Sequence, residues 1–147
     1  MKKLLLIALL IVGCSSYTHQ YITYDGEYGY RDGQFSDDTF WVEYISFNGL
    51  GAFQFGSAKE KYTLLRSAEI TKEKGFKYFV VLTKKWDFLA KSGTGHRFKI
   101  QCYKEKPTNI DFNALDNYAV IYEAEMVIKN YQYLYNKEEA KQRAREE

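Results

Sequence analysis

The spacing of apolar and polar residues along the chain predicts three strands. Residues 97–103 (RFKIQCY) alternate cleanly, and in residues 40–47 (FWVEYISF) Phe40, Val42 and Tyr44 would point one way while Trp41, Glu43 and Ile45 point the other. Residues 77–83 (KYFVVLT) are apolar on both faces, which is typical of a strand in the middle of a sheet. The side chains predicted to face the core from the two alternating strands are Phe40, Val42, Tyr44, Phe98, Ile100 and Cys102.

Two further segments carry apolar residues at helical spacing. The first helix is predicted over 57–74, with Ser57 as its N-cap and Gly75 as the residue that ends it. The second is predicted over about 119–140, because apolar residues recur along it at steps of four and three. An alternative for its beginning is that Val120–Ile121 end a short strand.

These elements together predict a single α+β domain over residues 29–136. An antiparallel sheet of three or four strands would pack against the helix at 57–74 and the C-terminal helix at about 119–140. Residues 30–39 contain Asp-Gly and Ser-Asp-Asp, which favour turns ahead of the first strand. The tail at 137–147 is charged and lacks an apolar stripe, so we expect it to be a solvated extension or a frayed terminus.

The first 14 residues (MKKLLLIALLIVGC) are organised like a bacterial lipoprotein signal, with two lysines, nine apolar residues and a lipobox. Nine residues are too few for a helix that spans a bilayer, which needs about 20. We therefore expect removal of residues 1–13 by cleavage between Gly13 and Cys14. Diacylglycerol would be joined to the Cys14 sulfur and an acyl chain to its new amine, and residues 14–28 would form the tether. The alternative is an ordinary secreted protein in which Cys14 is incidental.

Loss of this segment changes the charge of the chain. The full sequence has 21 basic and 19 acidic residues, and removal of its two N-terminal lysines leaves equal numbers. A neutral chain has no general attraction for nucleic acid, so we expect no nucleic-acid partner. We expect attachment to a membrane through the acyl chains, whose buried CH₂ groups contribute about 0.8 kcal/mol each. Because Ser15 and not Asp follows the cysteine, the expected location is the outer membrane, with the domain facing the periplasm.

Candidate catalytic groups are few. His19 and His96 are the two histidines, and neither belongs to a metal-binding motif. The Gly-x-Ser-x-Gly motif of serine hydrolases is absent from the sequence. Cys102 is the one cysteine left after acylation of Cys14, and we expect it to be a small buried side chain. We therefore expect no catalytic residue, no metal and no cofactor, and a protein that is not an enzyme.

Glu69 falls within the apolar face of the helix at 57–74. A carboxylate there needs partners, and Arg66, three residues earlier, and the hydroxyl of Tyr30 are candidates. Two interpretations stay open: Glu69 and Arg66 belong to a ligand cleft, or they form an internal clasp between helix and sheet, which we favour. The aromatic residues also have two interpretations, as a surface that faces glycan or lipid or as part of a small core. They are Tyr24, Tyr28, Tyr30, Trp41 and Phe47.

Several short motifs along the chain resemble a family of small lipoproteins of unassigned function from Gram-negative bacteria. The matching positions are Gly29-Tyr30, Phe40, Val42, Tyr44, Asn48, Leu64-Leu65-Arg66-Ser67-Ala68-Glu69, Gly75-Phe76, Tyr78-Phe79-Val80-Val81 and Tyr122-Glu123-Ala124. Ser67 stands where the family has Ala, and the stretch 103–121 has no counterpart. The resemblance implies a lipoprotein with a compact α+β domain, and it supplies no catalytic residues.

The function expected from the sequence is that of a membrane-anchored, non-enzymatic envelope protein that contacts another envelope protein. The alternative is a periplasmic protein that binds a small ligand, lipid or glycan through an aromatic surface or cleft.

Overall fold

A computed structural model describes residue 23 and residues 29–47, 56–90, 93–110 and 120–135. The predicted signal segment, Cys14 and the charged tail lie outside the described residues, as do Tyr24, Tyr28 and the side chain of Phe47. The elements, in chain order, are β1 (Gly29–Ser36), β2 (Thr39–Phe47), α1 (Gly56–Glu73), β3 (Tyr78–Ala90), β4 (Gly93–Tyr103), β5 (Ile121–Glu123), α2 (Ala124–Tyr131) and a 3₁₀ turn (Gln132–Leu134).

The five strands form one sheet in the order β1-β2-β4-β3-β5, and every neighbouring pair is antiparallel. β2 and β3 therefore point the same way, on either side of β4. Two strands that point the same way need a crossover connection. The 18-residue helix α1 lies within that connection and packs on one face of the sheet.

The main core lies between α1 and this face of the sheet. Alternate residues of β2 and β4 point into it, as the period-two pattern predicts, and α2 packs beside α1. The buried side chains are Phe40, Val42, Tyr44, Leu64, Leu65, Ala68, Ile70, Phe79, Val81, Phe98, Ile100, Cys102, Ala124 and Val127. Each large apolar side chain buried here contributes about 1.5–3 kcal/mol, so this layer is the principal source of stability.

A seam of small hydroxyl side chains brings α1 close to β4. Thr63, Ser67 and Thr71 are fully buried, and each hydroxyl donates to the backbone carbonyl four residues earlier at 2.7–2.8 Å. The Thr63 hydroxyl also lies 3.3 Å from the carbonyl oxygen of His96, and Thr71 Oγ1 lies 3.4 Å from Cys102 Sγ. Small side chains at every fourth position let the helix axis approach the sheet without leaving polar groups unsatisfied.

The α+β class is confirmed, but the predicted sheet of three or four strands was too small. The segment expected to form turns is β1, which pairs along its length with β2; only residues 37 and 38 form the turn. β3 and β4 are also longer than predicted and form a hairpin up to Ala90 and Gly93. Partner strands supply the hydrogen bonds that hold these polar or mixed segments extended, which a local pattern does not reveal.

Within the described residues the C-terminal helix is shorter than predicted, and residues 119 and 136–140 of the predicted span lie outside them. Residues 121–123 pair with residues 78–80 of β3 as strand β5, so a short strand does precede the helix, but it begins at Ile121 and does not end there. α2 then runs from Ala124 to Tyr131, and after the 3₁₀ turn Tyr135 has extended backbone. α1 lies within one residue of its predicted bounds. Within the described residues, no helix has the length and apolar character needed to cross a membrane.

Candidate functional site

A polar cluster surrounds Arg66 where α1 faces β1. We define the Arg66 cluster as Tyr30, Asp32, Arg66, Glu69, Glu73 and Tyr135. Arg66 Nε donates to Asp32 Oδ1 at 2.8 Å. Arg66 Nη1 donates to Glu73 Oε1 at 2.7 Å and to Glu69 Oε2 at 3.2 Å. The three helical members share one face of α1 because they are three and four residues apart.

Glu69 is the buried member of the cluster, with 3% of its surface exposed. Its Oε2 accepts from Arg66, and its Oε1 accepts a hydrogen bond of 2.9 Å from the hydroxyl of Tyr135. Tyr30 enters the cluster through its ring, whose centroid lies 5.1 Å from the guanidinium carbon of Arg66. The structure thus brings together Tyr30, Arg66 and Glu69, the three residues that the sequence singled out.

Burial and hydrogen bonding act on Arg66 in opposite directions. Its side chain is 14% exposed, and burial by itself would lower the pKa of the guanidinium. Hydrogen bonds to Glu73 and Asp32, with the charges of both carboxylates, outweigh burial and raise the pKa of Arg66 above its ordinary value. Nε, Nη1 and Nη2 each donate to a carboxylate, so the group acts as a fixed cation that joins β1, α1 and, through Glu69, the segment at Tyr135.

A second ion-pair cluster lies on the opposite face of the sheet. Glu43 of β2 is fully buried and stands in register between Arg31 of β1 and Arg97 of β4. Arg31 Nε donates to Glu43 Oε1, and Arg97 Nε donates to Glu43 Oε2 at 2.6 Å. The two arginine side chains are 44% and 41% exposed, so they cover the carboxylate from either side. Sequence reasoning missed this cluster, although a glutamate between apolar residues of a strand was a signal for it.

The next positions along this face carry aromatic and basic side chains. Trp41 is in register with Gly33 on one side and Lys99 on the other. A Cβ at Gly33 would lie 2.4 Å from Trp41 Nε1, so the indole lies directly over the glycine. The guanidinium carbon of Arg97 is 5.6 Å from the Trp41 ring centroid, within the range of a cation–π contact.

Phe35 extends this surface on the edge strand β1. Its side chain is 63% exposed, and Lys99 Nζ lies 5.2 Å from its ring centroid. We call these five side chains, Arg31, Phe35, Trp41, Arg97 and Lys99, the basic aromatic surface.

Among the described residues, the histidine and cysteine side chains lie in the core, and His19 lies outside the described residues. His96 is 1% exposed, with its ring edge against Phe98 at 4.8 Å between centroids. Cys102 is 2% exposed, and burial raises the pKa of its thiol to about 11, which disfavours the nucleophilic thiolate. The described residues contain no group of three or more His, Cys, Asp and Glu able to hold a metal ion.

Comparison with known proteins identifies no relative of this chain. No protein-family model, no curated protein and no solved structure matches the chain.

Proposed function

We propose that this protein is a lipid-anchored, non-enzymatic component of the outer membrane that faces the periplasm and contacts another envelope protein. The lipobox ending in Gly13 and Cys14 supports the anchor, and acylation of Cys14 is the one covalent modification that the proposal requires. The short motifs shared with Gram-negative lipoproteins point the same way.

The observation that carries the non-enzymatic part is the filled space between α1 and the sheet. Tyr44 and Leu65 are fully buried there, and Tyr44 stacks on Tyr62 with 4.6 Å between ring centroids. A cleft for a small ligand needs concave space lined by accessible polar groups. In the described residues between α1 and the sheet, side chains pack against one another, and the carboxylate of Glu69 is held by Arg66 and Tyr135.

Protein contacts would be made by the outer surface of the domain. Met126 and Tyr133 are 52% and 64% exposed, seven residues apart at the C-terminal helix. Met and aromatic side chains are enriched in protein interfaces relative to the rest of the surface.

The test is site-specific cross-linking in intact envelopes. A photoreactive amino acid replaces Met126, Tyr133 or, as a matched control on exposed α1 surface, Lys72, and adducts are identified by mass spectrometry. We expect one protein adduct at Met126 or Tyr133, none at Lys72, and loss of the adduct and of membrane attachment with Cys14→Ala. Absence of protein adducts at both apolar positions, in protein that stays membrane-bound, would overturn the contact function.

The second candidate function is binding of a small ligand, lipid or glycan. The observation that favours it is the basic aromatic surface, where Trp41 and Phe35 lie beside Arg97 and Lys99. Aromatic faces and cations together suit ligands that carry apolar rings or chains and negative charge. Cross-linking of a photoreactive amino acid at Phe35 to glycan or to a small molecule would favour this function.

A further inference from the structure

The face of the sheet away from α1 becomes more exposed along its length. Ile45 and Glu43 are buried, Trp41 is half-buried, and Lys99 and Phe35 at the far end are exposed. The accessible part of this face therefore combines an aromatic ring with cationic groups.

On β1, β2 and β4, the exposed charged side chains of this face are cationic. Arg31 and Arg97 share the carboxylate of Glu43, which is fully buried, and Lys99 adds a further cation. The turn at the end of the surface carries two acidic residues, Asp37 and Asp38, of which Asp38 is hydrogen bonded to Gln101. Counted together these groups are balanced, but the carboxylates lie in the turn and beneath the arginines, so the sheet face itself presents positive charge.

The lipid anchor lies within reach of this surface. Nine peptide units separate Cys14 from Thr23, which spans at most about 32 Å when fully extended. Thr23 pairs with Tyr30 of β1, and Phe35 lies five residues further along that strand, about 17 Å away. The tether is therefore long enough for Phe35 and Lys99 to touch the bilayer that holds the acyl chains.

We propose that the basic aromatic surface docks on anionic phospholipid of the membrane that carries the anchor, with Phe35 entering the headgroup region and Lys99, Arg31 and Arg97 facing the lipid phosphates. This inference rests on the anchor in the proposed function and adds an orientation: the sheet faces the bilayer, and α1 and α2 face away from it. Interfacial aromatic rings and basic side chains are the groups that hold proteins at anionic bilayers.

The test uses the acylated protein in vesicles, with an environment-sensitive NBD fluorophore on Phe35→Cys. The fluorophore replaces one aromatic ring by another, and labelling is selective because Cys102 is buried and Cys14 is acylated. The matched control carries the fluorophore on Lys72→Cys, an exposed position of α1. Vesicles contain either phosphatidylcholine alone or phosphatidylcholine with about one third phosphatidylglycerol.

We expect blue-shifted emission and quenching by nitroxide lipids at position 35 in the anionic vesicles, reversed by high salt, and neither at position 72. Each basic residue near an anionic surface changes membrane affinity about fivefold, so Lys99→Glu, which reverses one charge, should shift the docking equilibrium about tenfold or more. Equal signals at the two positions, insensitivity to Lys99→Glu, or the same signal in neutral vesicles would overturn the docking. Mass spectrometry of the same protein shows whether the acyl chains are present. If they are present and docking is lost, only the docking proposal fails and the lipid anchor is retained. If they are absent, both proposals fail.

Discussion

Replacement of Glu69 by alanine tests whether the Arg66 cluster stabilises the fold. The substitution removes a carboxylate that is 3% exposed and accepts hydrogen bonds from Arg66 and from the hydroxyl of Tyr135. A hydrogen bond to a charged group contributes about 1.5–3 kcal/mol, and groups whose buried partner is lost incur a desolvation penalty. Arg66 keeps Asp32 and Glu73, which reduces that penalty.

The expected loss is therefore about 2–3 kcal/mol of unfolding free energy, near the lower end of what breaking a buried ion pair costs. For a domain of this size that corresponds to a fall in Tm of about 8–12 °C. Glu73→Ala is the matched control, because Glu73 binds the same guanidinium but is 54% exposed. An exposed pair contributes less than about 1 kcal/mol, so its Tm should change by less than about 4 °C.

The assay uses residues 15–147, which include every described residue. Unfolding is induced by urea and by heat and is monitored by circular dichroism. Tyr135→Phe should reproduce part of the loss, and combining it with Glu69→Ala should cost less than the sum of the two, since they share one hydrogen bond. If Glu69→Ala and Glu73→Ala lose equal unfolding free energy, or if neither loses any, the interpretation of Glu69 as an internal clasp is refuted. The ligand-binding interpretation of Glu69 would then be favoured.

Three further predictions concern the sheet. Gly33→Ala places a Cβ 2.4 Å from the Trp41 indole, so it should lower the unfolding free energy by about 1–3 kcal/mol and change the tryptophan emission. Unchanged emission would mean that the indole does not lie over Gly33. Because the pKa of Cys102 is raised to about 11, native protein should resist DTNB at pH 8 and react at once in guanidinium, whereas rapid native labelling would contradict its burial. Hydrogen bonds, led by that from Ser36, lower the pKa of Asp38, so its stabilisation is complete above about pH 4 and is lost as pH falls through the lowered pKa. Asp38→Asn should lower the unfolding free energy by up to about 1 kcal/mol at pH 7, and this difference should shrink as the pH falls through the lowered pKa; a pH-independent difference would contradict the shift.

The elements that sequence reasoning placed well are those whose pattern is local. α1 has helical spacing and a terminal Gly75 with φ of 79°, and its bounds were predicted within one residue. β4 alternates apolar and polar residues and β2 has apolar residues at every second position, and their inward side chains form the core as expected. Asp32-Gly33 favours a turn locally and so predicts turns for β1, yet pairing with β2 holds it extended. The three residues of β5 fit both a strand and a helix, so the local pattern does not decide between them.

For the candidate site, helical spacing was enough to bring Arg66 and Glu69 together. It could not supply Tyr135, which lies 66 residues from Glu69 and reaches it because α2 packs on α1. Nor could it supply the Arg31–Glu43–Arg97 row, which depends on the register of three strands.

The sequence by itself thus determined the period of each element, the apolar face of α1 and the signal that predicts an anchor at Cys14, because each of these depends on residues close together in the chain. The tertiary structure decided the strand order, the partners of Glu69 and Glu43, and the accumulation of basic and aromatic side chains on one face of the sheet. These depend on register and packing between distant segments, where the free energy of burying and pairing groups outweighs local preference.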